Sequence, residues 1–477
     1  MQATPGEETA PSSLSPAVVK LAGVILLGAV VVQLDATMTN IALNTLRQSF
    51  GIELSTLQWF GTGYLLAMAA VIPTTGWSLE RFGARAVWTG CISMFLLGSL
   101  LCGLAWSAPS LIVFRVVQGL AGGMVLPLGT AVLAQAAGRQ NLGRVMGAIG
   151  IPAALGPALG PVLGGLIISG PGWRWIFYVN IPICALALAA GWFLMPTDRH
   201  PTSPRPDLIG FLLLSPACAV MVYGFSEAGS AGSFTHRDAV VPLLVGIALL
   251  AVFALYALRV TDRPIIDLRL LRIRSFTASS LVLFLASIAL FGAMAVLPIY
   301  YQQVRHYSAL HAGLLIVPMG VGMGLSLRLA PKLMGRFTPR AVMRAGLVLT
   351  AAGIVVFTRL DVDTDLVLLS AALVVNGAGI GAVVVPAMTG ALLDVPPGSI
   401  PGATAENRVF MQIGSSFGAA VLLVVLQTRM IQLARTGRLD AAGMASAFGH
   451  TFVWVLAFAG AAMAATLLMP GRRPSSA

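Results

Sequence analysis

Read from its N-terminus, the chain alternates long apolar runs with short polar breaks, and no two-residue alternation persists between them. Runs of about 20 residues with few charges have the length that crosses a hydrocarbon core as an α-helix. They fall at 19–43, 54–77, 86–106, 108–136, 143–169, 175–195, 207–227, 239–258, 275–301, 309–331, 341–358, 365–391, 402–428 and 449–469. The pattern therefore predicts fourteen spans, the thirteenth interrupted by Glu406 and Arg408. An even number of crossings places both termini on one side.

Composition sharpens this reading. Of the 477 residues, 57% are apolar and 10% charged, with a mean hydropathy of +0.89. A soluble protein carries about a quarter charged residues, and this chain could not hide its apolar surface in a single core. The surplus faces lipid, which predicts an all-α polytopic membrane protein with short loops. The formal charge of +12 would point to nucleic acid in a soluble chain. Here Lys and Arg gather in the loops after even-numbered spans, so the positive-inside rule puts those loops and both termini in the cytoplasm. No nucleic-acid partner is needed to explain the charge. Cys91, Cys102, Cys184 and Cys218 all lie in apolar runs without a CxxC pair, as small buried residues do. Residues 1–18 lack a basic n-region and read as a disordered tail, not a cleaved signal.

A short repeat gives the architecture. Arg81-Phe82-x-x-Arg85-Ala86-Val87 follows span 2, and Arg336-Phe337-x-x-Arg340-Ala341-Val342 follows span 10. A shift of eight spans is what two six-helix bundles give when two helices are inserted between them. The boundaries are a tail at 1–18, a first bundle at 19–199, an inserted hairpin at 200–262, a second bundle at 263–470 and a tail at 471–477. Paired bundles of this kind belong to transporters, with substrate held between the halves near midplane.

Several side chains could carry transport chemistry. Asp35 sits deep in span 1, where a carboxylate is costly unless paired, hydrated or protonated, which suits a group that takes up and releases protons. Arg115, early in span 4, needs an acceptor, and Asp35 is the only acid deep within the first six spans. Gln118 lies one turn further on. Span 5 carries Gly156-Pro157 and Gly160-Pro161, then Gly164-Gly165, a stripe for close helix contact interrupted by helix-bending prolines. A gate between the halves is the expectation. Glu80, Arg81, Gly83 and Arg85 form a charged turn that either sets topology or clasps one conformation closed.

Together these segments resemble the Major Facilitator Superfamily, and within it the fourteen-helix drug:proton antiporters of multidrug efflux. GWSLERFGARAVW resembles the superfamily's loop signature, RVVQGLAGG its span-4 signature, and the repeated Gly-Pro of span 5 its antiporter motif. LDATMTNIAL resembles the span-1 motif of the fourteen-helix group, and WRWIFYVNIP its span-6 entry. Two departures stand out: Glu80 replaces the usual Asp, and Asn44 stands where Pro is usual. The resemblance implies the major facilitator fold. Asp35 and Arg115 would be the proton-coupling pair, and Glu80, Arg81, Gly83 and Arg85 a conformational latch. Gly156, Pro157, Gly160, Pro161, Gly164 and Gly165 would be the hinge.

The expected activity is proton-coupled antiport that exports amphipathic small molecules or drugs across the cytoplasmic membrane. Alternatives on the same frame are a lipid or lipid-precursor transporter, a nutrient symporter and a non-transporting receptor or scaffold. No catalytic or metal-binding spacing and no P-loop appears, so no cofactor is expected beyond the proton as coupling ion. The expected partners are membrane lipids, amphipathic substrates and protons, on a monomeric chain. With no deep acid in the second half, substrate contacts are expected from Gln118, Gln302, Asn376, Glu406, Met411 and Gln412. Neutral or monocationic compounds would fit such a cavity better than dications.

Overall fold

The structure, a computed structural model, describes residues 14–52, 54–197, 207–260, 264–438 and 440–469, all helix and connecting turn. Helix α1 (Pro16–Phe50) starts where the Ser15 hydroxyl accepts from the Val18 N–H at 3.3 Å, with Pro16 at a position that needs no donor. It stops at Gly51, whose φ of 62° is a left-handed cap that glycine adopts without strain. The predicted tail at 1–18 overlaps the start of this helix. Residues 16–18 are already helical, and 1–13 lie outside the described residues. The C-terminal tail 471–477 lies outside them as well.

Helix α2 (Leu54–Val71) passes through a tight turn at Ile72–Thr74 into α3 (Thr75–Phe82), and Gly83 hands the chain to α4 (Ala84–Gly103). Then comes α5 (Ala108–Ser169), 62 residues in one run. At 1.5 Å per residue a straight helix of that length would reach about 93 Å, three times a hydrocarbon core. It reverses at Gly138 (φ 67°, ψ 173°), its one interior residue outside helical geometry. Spans predicted at 108–136 and 143–169 with a loop between them are thus two arms joined by one glycine.

Helices α6 (Trp175–Tyr178) and α7 (Asn180–Leu194) complete the first half. Next come α8 (Leu208–Ala231) and α9 (Arg237–Arg259). The second half comprises α10 (Arg274–Gln303), α11 (Ala309–Leu314), α12 (Val317–Arg336), α13 (Pro339–Phe357), α14 (Leu366–Leu393), α15 (Ile400–Arg435) and α16 (Ala441–Ala465). Among the described residues, twelve helical stretches are long and apolar enough to cross a membrane. The α2–α3 segment and the second arm of α5 are helical but are not among the twelve.

The α8–α9 hairpin lies against both halves. Trp59 of α2 stacks on Tyr223 with ring centroids 5.7 Å apart, and Thr62 and Ser226 meet at 3.4 Å. Phe225 packs edge-on against Phe417 of α15. Deeper in, Ala69 and Ile72 share one apolar cluster with Leu214, Cys218, Phe253 and Val409.

The halves join unequally along their length. At the end that carries the two repeat loops, one cluster runs from Leu133, Leu142 and Met146 of α5 to Leu327, Leu392 and Ala403 of the second half. At the other end the cores are separate, one around Leu46, Phe60 and Trp173, the other around Tyr300, Phe357 and Phe448. Buried apolar surface therefore closes the first end and leaves the second more loosely held.

Candidate functional site

Asp35 and Arg115 meet inside the first half, 0% and 1% exposed, with Arg115 Nη1 2.5 Å from Asp35 Oδ2. Three more helices complete the shell. Gln118 Nε2 donates to Asp35 Oδ1 at 3.0 Å and to Ser99 Oγ at 2.7 Å. Asn180 Nδ2, at the start of α7, donates to the same Asp35 oxygen at 2.8 Å. Arg115 also donates to Gln118 Oε1 at 2.7 Å and through Nε to the Phe60 carbonyl at 3.3 Å, while its guanidinium lies 4.0 Å above the Tyr64 ring.

Ionised groups withdrawn from water need this density of partners, because an unpaired buried charge costs several kcal/mol. Two polar atoms in the cluster still have no partner among the described residues, Tyr64 Oη and Asn180 Oδ1. The arrangement holds a carboxylate and a guanidinium side by side in the bundle interior, with spare hydrogen-bonding capacity around them. A proton delivered to Asp35 would release Arg115 and reorder the cluster. Tyr64, Ser99 and Asn180 were not singled out from the sequence. Asn180 falls in the WRWIFYVNIP segment, which gave the one available signal.

The charged turn is distributed over two helices. Glu80 and Arg81 belong to α3, and Gly83, φ 78°, links them to α4. Arg85 Nε and Nη2 both donate to the Met195 carbonyl, at 3.1 and 2.9 Å, fastening α4 to the end of α7. The signature's leading glycine, Gly76, touches the second half. A Cβ on Gly76 would stand 3.2 Å from the Gly402 backbone, a contact that any side chain there would tighten, so glycine suits this close crossing of α3 and α15.

The span-5 stripe also divides. Gly156 and Gly160 face α1, not the second half: Gly156 lies against Gln33, Gly160 against Thr37, and the Thr37 hydroxyl donates to the Gly156 carbonyl at 3.1 Å. The arm remains helical through residues 157 and 161, the positions of Pro157 and Pro161, so the bend in α5 is at Gly138. Gly164 is buried. Contact with the second half comes from Gly143 near Met334, Gly147 against the Leu327 carbonyl, and Gly165 near Leu310.

The six residues expected around substrate do not come together. Gln118 is committed to the Asp35 cluster, and Gln302 is exposed at the end of α10. Asn376 is buried in the second half beside Thr350, on a cavity that Leu290 also lines. At the 255-residue offset that relates Arg81 to Arg336, position 35 corresponds to Leu290, which is apolar. Met411 packs beside a second-half cluster, and Gln412 is half-buried. Glu406 is enclosed where α15 meets the first half.

Comparison with known proteins agrees with this architecture. Residues 25–419 match the sequence profile of the Major Facilitator Superfamily. A "Multidrug resistance protein B homolog" of Mycobacterium tuberculosis is 38% identical over 423 residues, covering 88% of this chain and 78% of the relative. The puromycin resistance protein pur8 of Streptomyces alboniger is 34% identical over 409 residues, covering 84% and 80%. The lincomycin resistance protein LmrB of Listeria monocytogenes is 29% identical, covering 82% of each. Two solved structures share the fold. The human organic anion transporter MFSD10 has a TM-score of 0.62 at 18% identity, covering 93% of this chain and all of that one. The proton:xylose symporter XylE has a TM-score of 0.60 at 14% identity, covering 94% and 96%. The protein is a multi-pass membrane transporter and not an enzyme, and it belongs to the Major Facilitator Superfamily.

Proposed function

We propose that the protein is a proton-coupled antiporter that exports amphipathic small molecules across the cytoplasmic membrane. In this reading all fourteen helical segments cross, both termini are cytoplasmic, and the Gly76–Gly402 crossing lies on the cytoplasmic side. The observation that carries the reading is the enclosed cluster of Asp35, Arg115, Gln118 and Asn180. An ion pair removed from water inside a membrane bundle is expensive to keep, and a carboxyl whose partner can swing away is a means of binding and releasing a proton. Resistance to puromycin, lincomycin and multiple drugs among the relatives supports varied amphipathic substrates.

Alternating access then runs between the closed cytoplasmic seam and a state in which the separate outer cores come together. The test is reconstitution in proteoliposomes with an imposed pH gradient and a panel of amphipathic compounds. Gradient-driven efflux should appear in the native protein and disappear in Asp35→Asn. Equal gradient-driven flux in that variant would remove Asp35 from the coupling step.

A further inference from the structure

Glu406 is 2% exposed, and neither of its carboxyl oxygens has a hydrogen-bond partner among the described residues. It lies one turn beyond Gly402, which touches Gly76, and one turn before Val409, which packs with Ile72 and Cys218. Its carboxyl is therefore enclosed where three bodies meet: α15 of the second half, the α2–α3 turn of the first, and the inserted hairpin. Among the described residues no cation is hydrogen-bonded to it. From Leu54 to Leu79 the first half has no acid or base. Arg408, two residues on, acts instead on Tyr64. The charge that acts on Glu406 is another acid, Asp267, on the segment after α9.

Other charged groups nearby are engaged. Asp207 at the start of α8 accepts from the Gly210 and Ile265 N–H groups and the Tyr256 hydroxyl, and Arg274 of α10 donates to the Leu468 carbonyl. Glu80 and Arg81 lie beyond Gly76, at the cytoplasmic end of α3. An ionised carboxylate in this place would be unpaired, unsolvated and beside a like charge, the most expensive combination available to it.

We infer that Glu406 is a second proton-binding site, separate from Asp35, occupied by a proton while the cytoplasmic seam is closed and vacated when the seam opens to water. The assignment rests on the antiporter reading, because it gives the seam its own proton link. One proton bound in the closed state and released in the open one changes the closed-to-open ratio by at most about tenfold per pH unit.

The experiment measures the seam directly, without substrate or gradient. Phe82→Cys and Phe337→Cys place spin labels on exposed positions at helix ends of the two halves, while the four native cysteines are buried. Label separations are followed in lipid nanodiscs from acid to alkaline pH. With native Glu406 the closed population should fall as pH rises. Glu406→Gln, which copies the neutral acid, should stay closed and lose that dependence, and Glu406→Met should behave alike if the amide folds poorly. A Glu406→Gln seam with the native pH response overturns the assignment, whatever Asp35→Asn does to transport. Gradient-driven transport surviving in Asp35→Asn overturns the coupling role of Asp35, whatever the seam does.

Discussion

Take the ion pair apart one side at a time. Asp35→Asn leaves the Arg115 guanidinium buried, with only Gln118 Oε1, the Phe60 carbonyl and the Tyr64 ring around it. Arg115→Gln leaves an Asp35 carboxylate that keeps two donors, Gln118 and Asn180. Removing one member of a buried pair costs about 3–5 kcal/mol, because an uncompensated charge stays behind. The carboxylate keeps two direct donors, so Arg115→Gln should fall at the lower end of that range and Asp35→Asn at the upper. The double variant removes both charges, and its amides can still exchange hydrogen bonds with Gln118 and Asn180. It should recover at least about 2 kcal/mol of the summed loss, which is the order of coupling measured for close buried pairs. Denaturant unfolding of the four purified proteins in one detergent completes the cycle. If the two losses add within about 0.5 kcal/mol, the groups do not hold each other, and the site's electrostatic logic fails.

Two further outcomes follow from the helix crossings. Gly160→Ala drives a methyl group into the Thr37 side chain, so it should cost about 1–3 kcal/mol by overpacking, and adding Thr37→Ala should restore part of it. Unchanged melting of Gly160→Ala would mean that α1 and α5 are not in close contact. Gly76→Leu should wedge the α3–α15 crossing apart and raise thiol labelling of a cysteine introduced at Ala403, buried beside the crossing, at unchanged expression. Native-like labelling would show that the seam does not close there.

What could be read from the sequence was whatever bears charge or repeats. Asp35 and Arg115 stand out because few acids or bases sit deep in apolar runs, and their scarcity pointed each to the other. Tyr64, Ser99 and Asn180 carry no such mark: a neutral polar residue in a membrane helix can face a bundle, a cavity or a neighbour's backbone equally well. Periodicity found the small-residue stripe at Gly156 and Gly160 but not its partner, since α1 and α12 are both apolar helices within reach. Gly138 was missed because the polar residues after it look like a loop, whereas a single positive φ reverses the helix. Glu406 was assigned to a cavity because nothing local to it shows that three separate bodies converge there.

The placement of α8 and α9 makes the two flanks of the molecule unequal. Between two rocking bundles there are two long clefts that face the bilayer, one bordered by α2 and α15, the other by the second arm of α5 and α12. The hairpin lies along the first from Trp59 and Phe417 down to Ile72 and Val409. That cleft cannot part toward the acyl chains unless two whole helices are peeled away with it. Among the described residues the second cleft carries no such strap; it is crossed by the glycine contacts at Gly143, Gly147 and Gly165 and by the apolar packing of Leu142 and Met146 with Leu327. In the proposed transport cycle, a compound entering sideways from the membrane would meet no helical hairpin on the flank beside α5 and α12, whereas the α2–α15 flank is covered by one.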